Sequence, residues 1–122
     1  MEIEGMTVHL NNLRVYAYHG VMEQERRVGN AYHLNIALDL SDFTAAEADD
    51  LSATVNYAEV CSLVEREMAK PALLLETLAG RLARVLLDAF PLVARVTLTV
   101  CKDNPPMGAD IDSAGVTIVV KR

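Results

Sequence analysis

Tryptophan is missing from this chain, and two phenylalanines and four tyrosines are all the other benzenoid rings in 122 residues. With 52% hydrophobic residues but so few rings, the core has to be aliphatic, built from Val, Leu, Ile and Ala. Cysteine is scarce too. Cys61 and Cys101 have neither the number nor the spacing of a disulfide scaffold or a zinc site. They read instead as small residues of a core helix and a core strand. Basic residues are outnumbered 11 to 17, giving a net charge of −6, and no Lys/Arg cluster breaks the deficit. A phosphate backbone would find no footprint here, which argues against nucleic acid. Nothing approaches the roughly 18–20 consecutive apolar residues that span a bilayer. The opening Met1-Glu2-Ile3-Glu4-Gly5 is acidic at once, the wrong start for a secretory signal. Repeats, low-complexity tracts and Ser/Gly/Pro linkers are absent as well. The expectation is a cytoplasmic, reduced chain forming one domain over residues 1–122, within the usual domain size of roughly 100–150 residues. Such a domain buries only about two-thirds of its unfolded surface, which leaves a motive for self-association.

What is present is hydrophobic periodicity of two kinds. From Met6 to Tyr18 apolar residues alternate, and the phase slips near Asn11-Asn12 before Leu13, Val15 and Ala17 resume it. A one-residue slip in a period of two predicts a strand with a bulge. A polar loop, Glu23 to Arg27, follows His19-Gly20. In the second strand Tyr32, Leu34, Ile36, Leu38 and Leu40 share a face, with His33, Asn35 and Asp39 opposite. After a connection over residues 49–54, Asn56 sits where a helix cap belongs, with Glu59 three residues on. Tyr57, Val60, Cys61, Val64 and Met68 then recur at helical spacing. Lys70-Pro71 predicts the end of that helix and the opening of another, carrying the stripe Leu74, Leu78, Leu82, Leu86 and Ala89, which Pro91 stops. Val96, Leu98 and Val100 mark a third strand, and Val116, Ile118 and Val120 a fourth. The order strand, strand, helix, helix, strand, strand predicts an α+β domain, a four-stranded antiparallel sheet with two helices packed on one face.

Five segments carry more than periodicity. They are Tyr18-His19-Gly20-Val21, Glu25 six residues after His19, Asn56-Tyr57-Ala58-Glu59-Val60, Leu74-Leu75-Glu76 and Lys102-Asp103-Asn104-Pro105-Pro106. In this order, over residues 6 to 120, the chain resembles the dihydroneopterin aldolase family. The resemblance implies the ββααββ tunnelling fold, whose members assemble through their sheets into barrel-like rings, commonly two tetramers stacked as a homo-octamer. Open antiparallel edges suit that, since ring closure removes them. It also implies a small-molecule dihydropterin as substrate and retro-aldol cleavage of 7,8-dihydroneopterin in folate biosynthesis. The products are glycolaldehyde and 6-hydroxymethyl-7,8-dihydropterin, formed without cofactor, metal or Schiff base. The electron sink that other aldolases obtain from a lysine imine or zinc would be the pterin's own N5=C6 bond.

The resemblance assigns roles residue by residue. Glu76 would hold the ring, its carboxylate accepting two parallel hydrogen bonds from the pterin amino group and N3–H. Backbone groups around Leu75 and Val55 would complete the ring contacts. Lys102 would be the acid/base group, acting on the 2′-hydroxyl through water, stiffened in place by Asn104-Pro105-Pro106. Tyr57, brought from a neighbouring subunit, would protonate or orient the enol intermediate. Glu25, chosen over Glu23 by its spacing from His19, would contact the side-chain hydroxyls and the lysine. Gly29-Asn30 departs from the Gly-Gln of many relatives, and Asn56 from the histidine of some.

Two other readings stand beside this one. Retro-aldol cleavage followed by re-addition to the other face gives a 2′-epimerase, and Arg26 and Arg27 beside Glu25 keep a triphosphate substrate open. A non-catalytic pterin-binding ring protein on the same fold is the second. Zinc has little to recommend it, because His9, His19 and His33 are at least ten residues apart and form no close pair on a strand face.

Overall fold

The computed structural model describes residues 1–122. Four strands, β1 (Thr7–Ala17), β2 (Asn30–Leu40), β3 (Val93–Asp103) and β4 (Ser113–Lys121), form one antiparallel sheet in chain order. Between β2 and β3 the chain runs through α3 (Tyr57–Met68) and α4 (Leu75–Ala89). This is the α+β arrangement that the two periodicities imply, and the alternation decides which face is covered. In register, Leu34 faces Val100, Ile36 faces Leu98 and Leu38 faces Val96, all fully buried or nearly so. Val60, Val64 and Met68 of α3 and Leu78, Leu82 and Leu86 of α4 belong to the same core of 21 buried residues. Burying each such aliphatic side chain contributes roughly 1.5–3 kcal/mol. The opposite sheet face is polar: Asn35, Thr99 and Thr117 stand in one row, and the two threonine hydroxyls are 2.7 Å apart.

The phase slip in the first strand is a bulge. Leu10 pairs with Ile36 and Leu13 with Leu34, so three steps on β1 match two on β2. Asn12 takes the left-handed conformation there (φ 56°), which asparagine tolerates better than most side chains. Its N–H donates to Asn35 Oδ1 at 2.8 Å.

Several expectations need correction. The polar loop of residues 23–27 is a short helix, α1 (Glu23–Val28), with Glu23 and Glu25 in its first turn and Arg26 and Arg27 in its last. That charge order complements the helix dipole. Residues 49–54 are not a plain connection either. A second short helix, α2 (Ala45–Ala48), precedes them, and Leu51–Ala53 makes a 3-10 turn. The last long helix opens at Leu75 and not at Pro71. The carbonyl of Ala72 is taken by the Gly20 N–H at 3.0 Å, and its N–H donates to His19 Nδ1 at 3.0 Å. Bonds to a distant turn have replaced the local helical ones. At the ends of the two helical stripes, Tyr57 and Ala89 are exposed rather than packed. Cys61 packs against the core as read, whereas Cys101, half-buried, faces away from it on the polar side of β3 beside His33.

No helix is long and apolar enough to cross a membrane. No three His, Cys, Asp or Glu side chains converge where one metal ion could reach them.

Candidate active site

Lys102 is the penultimate residue of β3 and keeps the phase of Val96, Leu98 and Val100, so its side chain enters the covered side of the sheet. A lysine there needs partners for its ammonium, because an unpaired buried charge costs several kcal/mol. Two are supplied. Nζ donates to Glu25 Oε1 at 2.8 Å and to the backbone carbonyl of His19 at 3.2 Å. An ammonium has three protons to donate, so one remains for whatever enters the site. The Tyr32 ring, directly opposite on β2, lies 5.8 Å from Nζ.

Glu25 is aimed by its own helix. Its backbone N–H donates to the Met22 carbonyl, and its Oε2 accepts from the Met22 N–H at 3.2 Å, leaving Oε1 for the lysine. The Lys102 hydrogen bond holds the Glu25 carboxyl below the usual carboxylate range, against the opposing effect of burial. Gly20 makes the approach possible. A Cβ at this position would come within 2.6 Å of Glu25 atoms. Arg26 steadies the same turn, its guanidinium donating to the Gly20 and Val21 carbonyls at 2.7 and 2.8 Å.

A pocket of about 320 Å³ opens beside the pair, lined by Met22, Glu25, Asn30, Lys102, Asn104 and Pro106 among others. Neither Arg26 nor Arg27 lines it. The strand end that carries the lysine is pinned from behind. Asp103 Oδ1 lies 2.6 Å from His33 Nδ1, and the Asp103 carbonyl accepts from Asn30 Nδ2 at 2.9 Å. Asn104 then turns the chain in the left-handed region (φ 43°).

The remaining candidates lie elsewhere in the single chain. Tyr57 begins α3, is 67% exposed and lines none of the site pocket. Asn56 caps that helix, its Oδ1 accepting from the Ala58 N–H. Val55 buries its side chain in the core, which leaves only its backbone for a ligand. Leu75 is partly buried against the same core, and Glu76, in the first turn of α4, is exposed with no ion-pair partner. Leu74, at the cap position of α4, has no side chain able to bond the free N–H groups of that first turn. Thus Glu25 and Lys102 are brought together, and Tyr57, Glu76, Leu75 and Val55 are not brought to their pocket within one chain.

Sequence reasoning missed three contributors. The carbonyl of His19 accepts from Lys102 and from the Tyr32 hydroxyl at 3.0 Å. Tyr32 reads as an ordinary core aromatic, yet its buried phenol, pushed up by that burial, faces the lysine. Asn30 opens the interior strand β2 and stands out in the sequence only as part of Gly29-Asn30, where many relatives have Gly-Gln.

Comparison with known proteins identifies the family and the fold. The family described as dihydroneopterin aldolase matches residues 8–119. A dihydroneopterin aldolase of Bacillus subtilis is 35% identical over 119 residues, covering 94% of this chain and 97% of the relative. Among solved structures, E. coli dihydroneopterin aldolase in complex with neopterin superposes with a TM-score of 0.85 at 23% identity, over 94% of this chain and 98% of that one. A Burkholderia thailendensis dihydroneopterin aldolase bound to guanine gives a TM-score of 0.76 at 24% identity, over 98% and 93%. At those identities the superpositions speak for the fold.

Proposed function

We propose, from the premise that this chain belongs to the dihydroneopterin aldolase family, that it cleaves 7,8-dihydroneopterin to glycolaldehyde and 6-hydroxymethyl-7,8-dihydropterin. The observation that carries the proposal is the meeting of Glu25 and Lys102, 77 residues apart in the chain, at 2.8 Å on the wall of a pocket.

Chemically the reaction needs three things. The 2′-hydroxyl must lose its proton, the C1′–C2′ bond must break with its electron pair delocalised into N5=C6, and C1′ must then be protonated. The ring itself is the electron sink, so neither a Schiff base nor a metal is required. Lys102 moves the first proton through water, using the N–H that neither Glu25 nor the His19 carbonyl takes. Glu25 orients the substrate's side-chain hydroxyls beside the lysine it pairs with. Glu76 accepts the paired N–H donors of the ring. Neopterin and guanine, the ligands named for two relatives, share that amino-pyrimidinone edge. The backbones of Leu75 and Val55 complete the ring contacts, and Tyr57 protonates C1′ of the enol.

Tyr57 comes from a second copy in this reading, and the chain works in the cytoplasm as a single domain within a ring, two tetramers stacked as an octamer. In support, β1 and β4 are both open sheet edges, and Val21, Met22, Leu73 and Leu74 are exposed apolar residues near the pocket's turn. A triphosphate-specific epimerase finds less support, because Arg26 is engaged with backbone carbonyls and adds no cation to the pocket. Epimerisation of the unphosphorylated substrate by re-addition remains compatible with the same residues.

Chelator-treated protein incubated anaerobically with 7,8-dihydroneopterin tests the proposal. Glycolaldehyde and 6-hydroxymethyl-7,8-dihydropterin should appear in equal amounts. Epimer without cleavage would make the chain an epimerase, and pterin binding without turnover would make it a binding protein.

A further inference from the structure

His19 is the one buried histidine, 1% exposed, and the reaction as written does not use its side chain. Its position in the hydrogen-bond network is nonetheless central. With Gly20 it holds Ala72 at two points: the Ala72 N–H donates to His19 Nδ1, and the Gly20 N–H donates to the Ala72 carbonyl, both at 3.0 Å. The His19 carbonyl meanwhile accepts from Lys102 and Tyr32. One residue therefore touches the lysine through its main chain and, through its side chain, the segment that leads three residues later into Leu75 and Glu76.

We propose that His19 is a positioning residue whose Nδ1 sets the spacing between Lys102 and the start of α4, and hence between the proton-transfer group and the ring-holding carboxylate. The proposal rests on the reading of the site given above. Its geometry has independent support beneath the histidine. Arg81 of α4 donates from Nη2 to the carbonyls of Glu67 and Lys70 at 3.0 and 2.6 Å, and Nε lies 3.6 Å from the Glu67 carboxylate. The segment 67–72 is thus held to α4 on one side and to His19 on the other. The Tyr32 ring packs edge-on against the imidazole at a centroid distance of 5.3 Å, which limits its rotation.

For Nδ1 to accept, the imidazole has to be neutral with its proton on Nε2. Burial, with the Arg81 charge acting in the same direction, holds His19 below its ordinary value and keeps that form populated. Nε2 makes no well-formed hydrogen bond, and the Met68 backbone beside the ring opposes the lowering only in part. Nδ1 therefore carries the one well-formed bond of the ring, which separates what two conservative replacements would do. Asparagine places its Oδ1 where Nδ1 stands, whereas glutamine places its amide nearer Nε2.

The test compares His19→Ala, His19→Asn and His19→Gln with the unaltered protein, using 7,8-dihydroneopterin for turnover and calorimetric titration with 6-hydroxymethyl-7,8-dihydropterin for binding. Misplacing a reacting centre by about 1 Å costs on the order of a hundredfold in rate. His19→Ala should therefore lose about that much kcat, while product stoichiometry is unchanged and Kd moves by no more than about threefold. His19→Asn should restore most of kcat and His19→Gln should not. Equal rescue by glutamine and asparagine, or a folded alanine variant with unchanged kcat, overturns a positioning role. If the alanine variant fails to fold, the asparagine and glutamine pair decides alone. Absence of turnover in the unaltered protein would instead count against the aldolase reading. Product affinity and stoichiometry equal in all four proteins, with equal kcat wherever turnover exists, would sink the positioning role on its own.

Discussion

The two ends of the candidate site are built in opposite ways. Around Lys102 the charged groups and the backbone find partners inside the chain: Glu25 has both oxygens engaged, the His19 carbonyl accepts twice, and Asp103 is tied to His33 and Asn30. At the starts of α3 and α4 the named side chains project outward. Tyr57 is two-thirds exposed, and Glu76 has neither burial nor a counter-charge. Proton-transfer groups have to be held before substrate arrives, because their geometry sets the rate. A carboxylate that recognises a ring through paired hydrogen bonds can wait in water and obtain its partners from the ligand. The difference separates preorganisation from recognition, and variants at the two ends should separate in what they damage.

The largest separation is expected from Lys102→Ala. Turnover should fall about a thousandfold, in the range lost with a general acid/base, while affinity for 6-hydroxymethyl-7,8-dihydropterin changes by less than about threefold. Equal loss of both would reclassify Lys102 as a binding group. Glu76→Ala should do the reverse. Two charge-assisted hydrogen bonds contribute roughly 3 kcal/mol, so product affinity should drop on the order of a hundredfold in calorimetry. Its unfolding free energy should stay within about 0.5 kcal/mol. Glu25→Ala supplies the contrast. It strands the lysine without its counter-charge and should cost about 2 kcal/mol in urea unfolding. Were Glu76→Ala the more destabilising of the two, the division between a held end and a waiting end would be wrong.

The smallest effect is a pH dependence confined to the held end. Glu25 has a depressed folded value, so the unfolded chain binds its proton more readily. The resulting stability is fully present above the ordinary carboxyl value near 4.5 and is lost as pH falls through the lowered one. His19, also depressed, contributes stability that is complete above 6.5 and declines as pH drops below it. Melting temperature measured from pH 7.5 to 5.5 should therefore fall in the unaltered protein and fall less in His19→Asn. Parallel curves would show that the histidine is not the titrating group.

Parts of both ends and of the fold between them are legible in the sequence, and the reasons are local. Lys102 breaks a period-two apolar strand while keeping its phase, so it had to enter the covered side. Asn56 precedes a helical stripe and caps it. The bulge at Asn11-Asn12 appears as a slip in alternation. What escaped notice depended on distant partners. His19 looks like a turn residue, because nothing near it in sequence announces Ala72 or Lys102. Pro71 predicts the start of α4 four residues early, because proline's preference for a first turn is weak beside two hydrogen bonds to His19 and Gly20. Tyr57 was grouped with a buried stripe because helical spacing marks a face without saying how far along the helix the core reaches. The short helix at Glu23 is not legible because its five polar and charged residues before Val28 carry no apolar period, only the acid-to-base order along its length.

By itself, then, the sequence determined the four strands, the two long helices and the covered face, since all of these follow from periodicity, capping and composition within a few residues, while the candidate site residues came from the family resemblance. The tertiary structure alone decided which of those residues meet. The 2.8 Å contact of Glu25 with Lys102, the two-point hold on Ala72 and the separation of Tyr57 and Glu76 from the pocket arise from strand register and helix placement. These are set by burying one continuous aliphatic core, a constraint that acts on the whole chain at once and leaves no mark at any single position.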